Sequence, residues 1–258
     1  MLESLNNKSE FKERNYKSWL HNTDFWLHSD LRQLVDTKEF LINKIPEIIK
    51  VYNDKIPTIV DMGTGSGWFF NMLNESSIKC NFIGLDFNPL FIEYLSKKNS
   101  QLDYAQFRTV DLEEDLPSDL IGKADYVFNF FNFFEIANLE KAFNNASLML
   151  KPGGKLIVMT IESLYLMFAL SKNLDELKEV LKIYEEKKNK NEIPFFFQKI
   201  DLGNSESDEY EYASVLYSVK DYLSEAKKNK LMLLDFDEIV KTSRYIPKVY
   251  QFMQFQKL

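Results

Sequence analysis

From Ile56 onward the chain alternates short apolar runs with longer amphipathic ones. IPTIVD, CNFIGLD, YAQFRTVD, ADYVFNF and GKLIVMT begin at Ile56, Cys80, Tyr104, Ala124 and Gly154. Such short runs, rich in β-branched and aromatic residues and bounded by turn formers, predict buried strands. Between them Trp68–Ser77, Pro89–Lys98 and Leu139–Leu150 have the spacing of helices. Strand alternating with helix means βαβ units, so the predicted class is α/β with a doubly wound, mostly parallel sheet.

The flanks break this rhythm. Residues 1–55 are polar and aromatic with helical spacing, ending in KEFLINKIPEIIKVYN. They predict an N-terminal helical cap on a domain of residues 56–258. After Thr160 the alternation stops, and Leu174, Leu177, Leu181 and Tyr184 mark an amphipathic helix. Two antiparallel strands are expected next, PFFFQKID and EYEYASVLYS, around the turn-forming GNSESD. Residues 163–218 thus read as an insertion after the fifth strand. Helix Val219–Asn229 and strand LMLLDFDEI resume the order. The tail VYQFMQFQK alternates apolar and polar residues, which predicts an antiparallel last strand in an edge region.

Composition narrows the function. With 258 residues, 45% hydrophobic and 28% charged, the chain can bury the core of one domain plus a cap. A net charge of −7 argues against a general phosphate-binding surface, hence against nucleic acid, and favours neutral or cationic substrates. Cys80 is the only cysteine, which excludes an internal disulfide and a cysteine-based zinc site. It reads as a buried, inert thiol. No signal-peptide apolar region opens the chain and no run reaches transmembrane length, so no membrane association and a cytoplasmic location are expected.

The candidate chemistry begins at DMGTGSG, residues 61–67, which holds three of the eight glycines. A strand running through glycines into a helix makes a turn whose amides face a ligand. The spacing Gly63-x-Gly65-x-Gly67 is not that of a dinucleotide loop, and no P-loop lysine follows. A plain phosphate cradle is therefore a poor fit. The second strand ends in Asp86, where a carboxylate can accept both hydroxyls of a ribose, with Phe87 beside it to cover an adenine face. The third ends at Asp111 and Leu112, placed to read an adenine amino group.

In this order and spacing IVDMGTGSG, GLDFNP, VDLEEDLP, ADYVFNFFNFFEI and LKPGGKLIVMT resemble the motif series of class I methyltransferases, over about residues 56–162. These are Rossmann-like enzymes dependent on S-adenosylmethionine (SAM), here of the small-molecule or natural-product type. The resemblance implies that Asp61 with Gly63, Gly65 and Gly67 holds the methionine end of SAM. It gives Asp86 the ribose, and Asp111 the adenine amino group with Leu112 beside the ring. Asn129 and Phe130 would face the cofactor's amino group and the methyl-transfer position. It also makes residues 163–218 a substrate-covering insertion, although the helix there could equally serve a homodimer surface.

Methyl transfer is an in-line displacement in which the protein aligns the acceptor, and a base is required only when the acceptor must lose a proton. The candidate catalytic residues are His21, His28 and Glu135. The histidines are two helical turns apart, about 10 Å of rise and too far to chelate one metal, so no metal site is expected. The candidate substrate pocket comprises Tyr16, Trp19, Phe25, Trp26, Phe134 and Glu162. The aromatic N-terminal residues form either a lid or a helix face docked on the domain, while Glu135 and Glu162 are alternatively caps. The chain lacks the Asn/Asp-Pro-Pro-aromatic signature shared by DNA and some protein-amide methyltransferases. The expected activity is methyl transfer to an amine or hydroxyl of a small molecule, natural product or small peptide with a terminal amine. The alternatives are a quinone or aromatic-ring C- or O-methyltransferase and a non-catalytic SAM-binding regulatory protein.

Overall fold

The computed structural model describes residues 2–5, 7–28, 32–49, 55–171, 173–190, 192–201, 209–242 and 247–258. The chain opens with β1 (Leu2–Leu5), α1 (Lys8–His21), α2 (Thr23–His28) and α3 (Arg32–Ile48). The alternating region follows as β2 (Thr58–Met62), α4 (Trp68–Glu75), β3 (Asn81–Asp86), α5 (Pro89–Lys98) and β4 (Ala105–Thr109). It continues with β5 (Ala124–Phe130), α6 (Leu139–Met149) and β6 (Leu150–Ile161). After α7 (Ser163–Ala169) and α8 (Leu174–Asn189) come β7 (Phe195–Asp201) and β8 (Glu209–Val215). The chain closes with α9 (Val219–Lys228), β9 (Leu231–Lys241) and β10 (Lys248–Lys257).

Local chemistry explains the element boundaries. The Asn88 side chain accepts from Leu90 N at the start of α5, where Pro89 occupies the first turn and sacrifices no helical bond. Ser218 and Asp221 form a reciprocal capping box on α9.

Seven strands form the main sheet in the order β4-β3-β2-β5-β6-β10-β9. β2 to β6 run parallel, and β10 is antiparallel to both of its neighbours. Alternate residues feed opposite layers, as the period of a strand requires. Val60, Val127, Val158 and Met253 join Phe143 of α6 and Tyr222 of α9 on one face. Ile59, Phe128, Ile157 and Phe252 join Leu41 of α3 and Phe70 of α4 on the other. The sheet is doubly wound.

Two expectations need correcting. The last strand is antiparallel and in the edge region as expected, but it is not the edge itself: β10 lies between β6 and β9, and Tyr250–Phe255 are buried, glutamines included. Gln251 is accommodated by a 3.3 Å bond to Glu238 Oε1, so its polarity reflects a cross-strand partner, not solvent. The N-terminal cap is not wholly helical either. β1 pairs antiparallel with β7, Leu2–Leu5 opposite Phe195–Gln198, in a second sheet of order β1-β7-β8. This short strand covers the edge that β7 would otherwise present. Phe11 of α1 then packs its ring 4.9 and 5.0 Å from those of Phe195 and Phe197. Cap and insertion therefore build one layer together. The turn expected at GNSESD lies outside the described residues, among which no helix is long and apolar enough to cross a membrane.

Candidate active site

The site begins where β2 runs out. Past Met62, the amides of Gly63 and Thr64 both donate to Leu85 O, at 2.8 and 2.9 Å, fastening the glycine loop to the end of β3. Gly63 has φ +81°, and a Cβ there would stand 2.7 Å from Asn132 Cγ. Only glycine meets both demands. Gly65, at φ +49°, turns its amide to Asp86 Oδ2 at 2.9 Å, and the space where a Cβ would project is open. The other Asp86 oxygen accepts from Asn88 N at 2.9 Å.

Three buried carboxyls converge on one cavity at the carboxyl ends of the strands. Asp61 is 3% exposed, Asp86 6% and Glu135 7%. Burial penalises the charged form of each. It pushes Asp61 up to about 7, with the Thr64 hydroxyl opposing and the Asp86 charge reinforcing the shift. Asp86 is pushed up to about 6 by burial, against the two backbone amides that bind it. Glu135 goes to about 8, again through burial, with Trp19 opposing and Asp86 reinforcing. The cavity is thus poised to take up positive charge.

The wall after β5 is strained and braced. Phe131 has φ +58°, rarely adopted by a bulky residue, and is held there by a 2.8 Å bond from its amide to Met159 O. Asn129 lies behind this wall. Its amide donates to Met62 O at 3.1 Å and to Asn132 Oδ1 at 3.2 Å, and its Oδ1 accepts from Phe133 N at 3.2 Å. It ties the end of β2 to the turn after β5.

Opposite stands α1. Lys12 Nζ bridges Asp111 at 2.9 Å and Glu114 at 2.8 Å. Burial alone would lower this ammonium, but its acidic partners more than reverse that and hold its pKa above the usual lysine range. Tyr16 lays its ring 4.0 Å from that of Phe87. Asn15 Nδ2 donates to Glu135 O at 2.9 Å, and Trp19 Nε1 to Glu135 Oε2 at 2.7 Å. Where α2 begins, Thr23 Oγ1 accepts from Asn88 Nδ2 at 2.8 Å.

Of the residues singled out in the sequence, Asp61, Gly63, Gly65, Asp86, Phe87 and Asp111 line the cavity. So do Leu112, Phe130 and Glu135, with Tyr16, Trp19 and Trp26 from the N-terminal helices. Others stand elsewhere. His21 and His28 are exposed and outside the lining, because the helix breaks at Asn22 and they do not share a helix face. Phe25 packs its ring 4.9 Å from Trp26 instead of lining the cavity. Phe134 belongs to the core beneath, and Glu162 caps α7 by accepting from Tyr165 N at 2.9 Å. Gly67, the residue before α4, packs towards Leu95, and Asn129 sits behind the wall as described. Glu135 caps no helix and is not solvent-exposed.

Lys12, Asn15 and Asn132 also line the cavity and were not singled out from the sequence. Lys12, Asn15, Tyr16 and Trp19 fall at i, i+3, i+4 and i+7, so the two missed polar residues share a helical stripe with the aromatic ones. Asn132 carries no such signal.

Among known proteins, residues 53–234 match the family described as methyltransferase domain. Juvenile hormone acid O-methyltransferase of Drosophila melanogaster is 26% identical over 141 residues, 52% of this chain and 46% of that protein. The chain spans about half the length of the curated relatives it matches. A SAM-dependent methyltransferase of Methanosarcina mazei superposes with a TM-score of 0.56 at 16% identity, over 81% of this chain and 99% of that one. Geranyl diphosphate methyltransferase in complex with SAM does so with a TM-score of 0.57 at 15% identity, over 90% and 89%. At these identities the two structures speak for the fold, which is the Rossmann-like one seen here. The family match covers well over half of the residues and contains the whole parallel part of the sheet. The chain belongs to the methyltransferase-domain family.

Proposed function

We propose that this domain transfers the methyl group of SAM to an amine or hydroxyl of a small molecule, natural product or small peptide. One observation carries the reading: three buried carboxyls and an open glycine loop meet in one cavity at the carboxyl ends of β2, β3 and β5. A sulfonium-bearing adenosyl group suits that surrounding, because a cation relieves the cost of burying carboxylates.

In this reading Asp61, Gly63 and Gly65 hold the methionine end, and Asp86 the ribose. Asp111, Leu112 and Phe87 hold the adenine. Bound SAM supplies an electrophilic methyl group. The protein's own task is to align the acceptor and keep water out, and alignment alone can contribute about 7–11 kcal/mol. Helices α1 and α2 act as the lid. They carry Tyr16, Trp19 and Trp26 to the cavity and are fastened to the domain through Asp111, Glu135 and Asn88. The sheet β1-β7-β8 braces α1 from behind.

The test is calorimetry with SAM and with S-adenosylhomocysteine. Both are expected to bind, and Asp86→Asn is expected to weaken binding about tenfold or more, as loss of a charge-assisted hydrogen bond predicts. Folded protein that binds neither compound overturns the reading.

A further inference from the structure

The cavity holds three buried carboxyls, and the cofactor contacts assigned above engage only two of them. Asp61 and Asp86 answer to the amino-acid end and the ribose. Glu135 is a third buried carboxyl, on the turn after β5, and SAM brings only one net positive charge to all three. A second cation would reduce that imbalance.

Asn15 points to where that cation sits. It is 9% exposed and lines the cavity, and its amide nitrogen donates to Glu135 O at 2.9 Å. Its Oδ1 has no hydrogen-bond partner among the described residues. A buried acceptor without a donor is costly, so this corner favours a ligand that brings N–H groups. The rings of Trp19 and Trp26 stand 5.3 Å apart on the same cavity wall, and aromatic faces attract cations. Lys12 is the one basic side chain among the described residues lining the cavity, and Asp111 and Glu114 already bind it. An acceptor bearing a carboxylate would thus meet acids and an already engaged cation.

We propose that Glu135 and Asn15 Oδ1 form a subsite for the amino group of the methyl acceptor, walled by Trp19 and Trp26. The substrate class is then a small amine with an apolar body. This rests on the cofactor reading above, and narrows its choice between amine and hydroxyl.

The experiment is calorimetry on the full chain saturated with S-adenosylhomocysteine, titrated with 2-phenylethylamine or with 2-phenylethanol. The amine is expected to bind at least about tenfold more tightly than the alcohol, as a charge-assisted contact should. Glu135→Gln keeps an acceptor for Trp19, and Asn15→Leu keeps the bulk. Each should abolish most of the amine-over-alcohol preference, read on protein saturated with S-adenosylhomocysteine. Equal binding of amine and alcohol by the wild type overturns the proposal. So does a Glu135→Gln variant that loses affinity for S-adenosylhomocysteine as steeply as for the amine, since the subsite would then serve the cofactor's own ammonium. Wild-type protein that fails to bind S-adenosylhomocysteine overturns the cofactor reading itself, before any amine is added.

Discussion

Trp19 Nε1 donates a 2.7 Å hydrogen bond to Glu135 Oε2, joining the first helix to the turn after β5 across 116 positions of sequence. One partner stands on α1 and the other in the cavity wall. The bond therefore links the docking of α1 to the protonation of a buried acid.

Trp19→Phe keeps most of the ring and removes the donor. Glu135, already pushed up to about 8 with Trp19 opposing the shift, should move higher still. The unmet buried acceptor should cost about 1–3 kcal/mol of stability. The loss should be larger at pH 9, where the carboxylate is charged, than at pH 6.5. Urea unfolding at the two pH values measures this, and equal stability of variant and wild type at both would discard the link.

The three raised carboxyls make stability and binding depend on pH in opposite directions. Asp86, Asp61 and Glu135 rise from 3.8, 3.8 and 4.5 to about 6, 7 and 8. Well below the unfolded values of 3.8 and 4.5 the folded and unfolded chains hold these protons equally. As pH rises to 8 the unfolded chain ionises first, so this contribution to stability is lost. The melting temperature of the free protein should fall across that window, and Glu135→Gln should flatten its upper end. A bound cation favours the ionised forms, so SAM affinity should increase from pH 6 to 8 with release of protons. Calorimetry in buffers of different ionisation enthalpy reads the release directly; uptake would contradict the assignment.

Two glycines of one loop should fail differently when changed to alanine. At Gly63 a Cβ meets Asn132 at 2.7 Å in a left-handed conformation, so the fold itself should lose about 2–4 kcal/mol. At Gly65 the Cβ enters open space, and the backbone penalty is only about 1 kcal/mol. That variant should fold almost normally, yet bind SAM poorly if, as proposed, the cofactor lies against this loop. Paired melting curves and titrations separate the two.

Asn129→Ala removes three hydrogen bonds at once and strands the amide of Phe133. A loss of about 3 kcal/mol is expected, because buried polar groups left unpaired cost about 1–3 kcal/mol each. The wall carrying Phe131 should loosen, raising KM for both substrates more than it lowers kcat. A normal melting temperature would show that Asn129 has no bracing role.

Much of the cavity lining contributed by the strand ends was legible in the sequence, because its determinants are local. Glycines at alternate positions behind a strand, and acids closing three successive strands, follow from the period of a strand and the length of a βα unit. Asp61, Asp86 and Asp111 therefore stand where their spacing placed them. Local signals also misled. The seven-residue interval between His21 and His28 reads as two turns of one helix, but a single break at Asn22 separates the two into different helices. The glutamines of the tail suggested an edge, but β9 took the edge and buried them.

The sequence alone determined the α/β class, the order of the parallel strands' elements and the acids at their tips, since each depends on neighbours a few residues away. Tertiary structure decided which side chains face one another. It placed β1 against β7, stood Asn15 and Trp19 over Glu135, and sent Asn129 behind the wall. Contacts between residues a hundred positions apart depend on how separately formed layers dock. That docking is set by the summed burial of many side chains, and no short stretch of sequence records it.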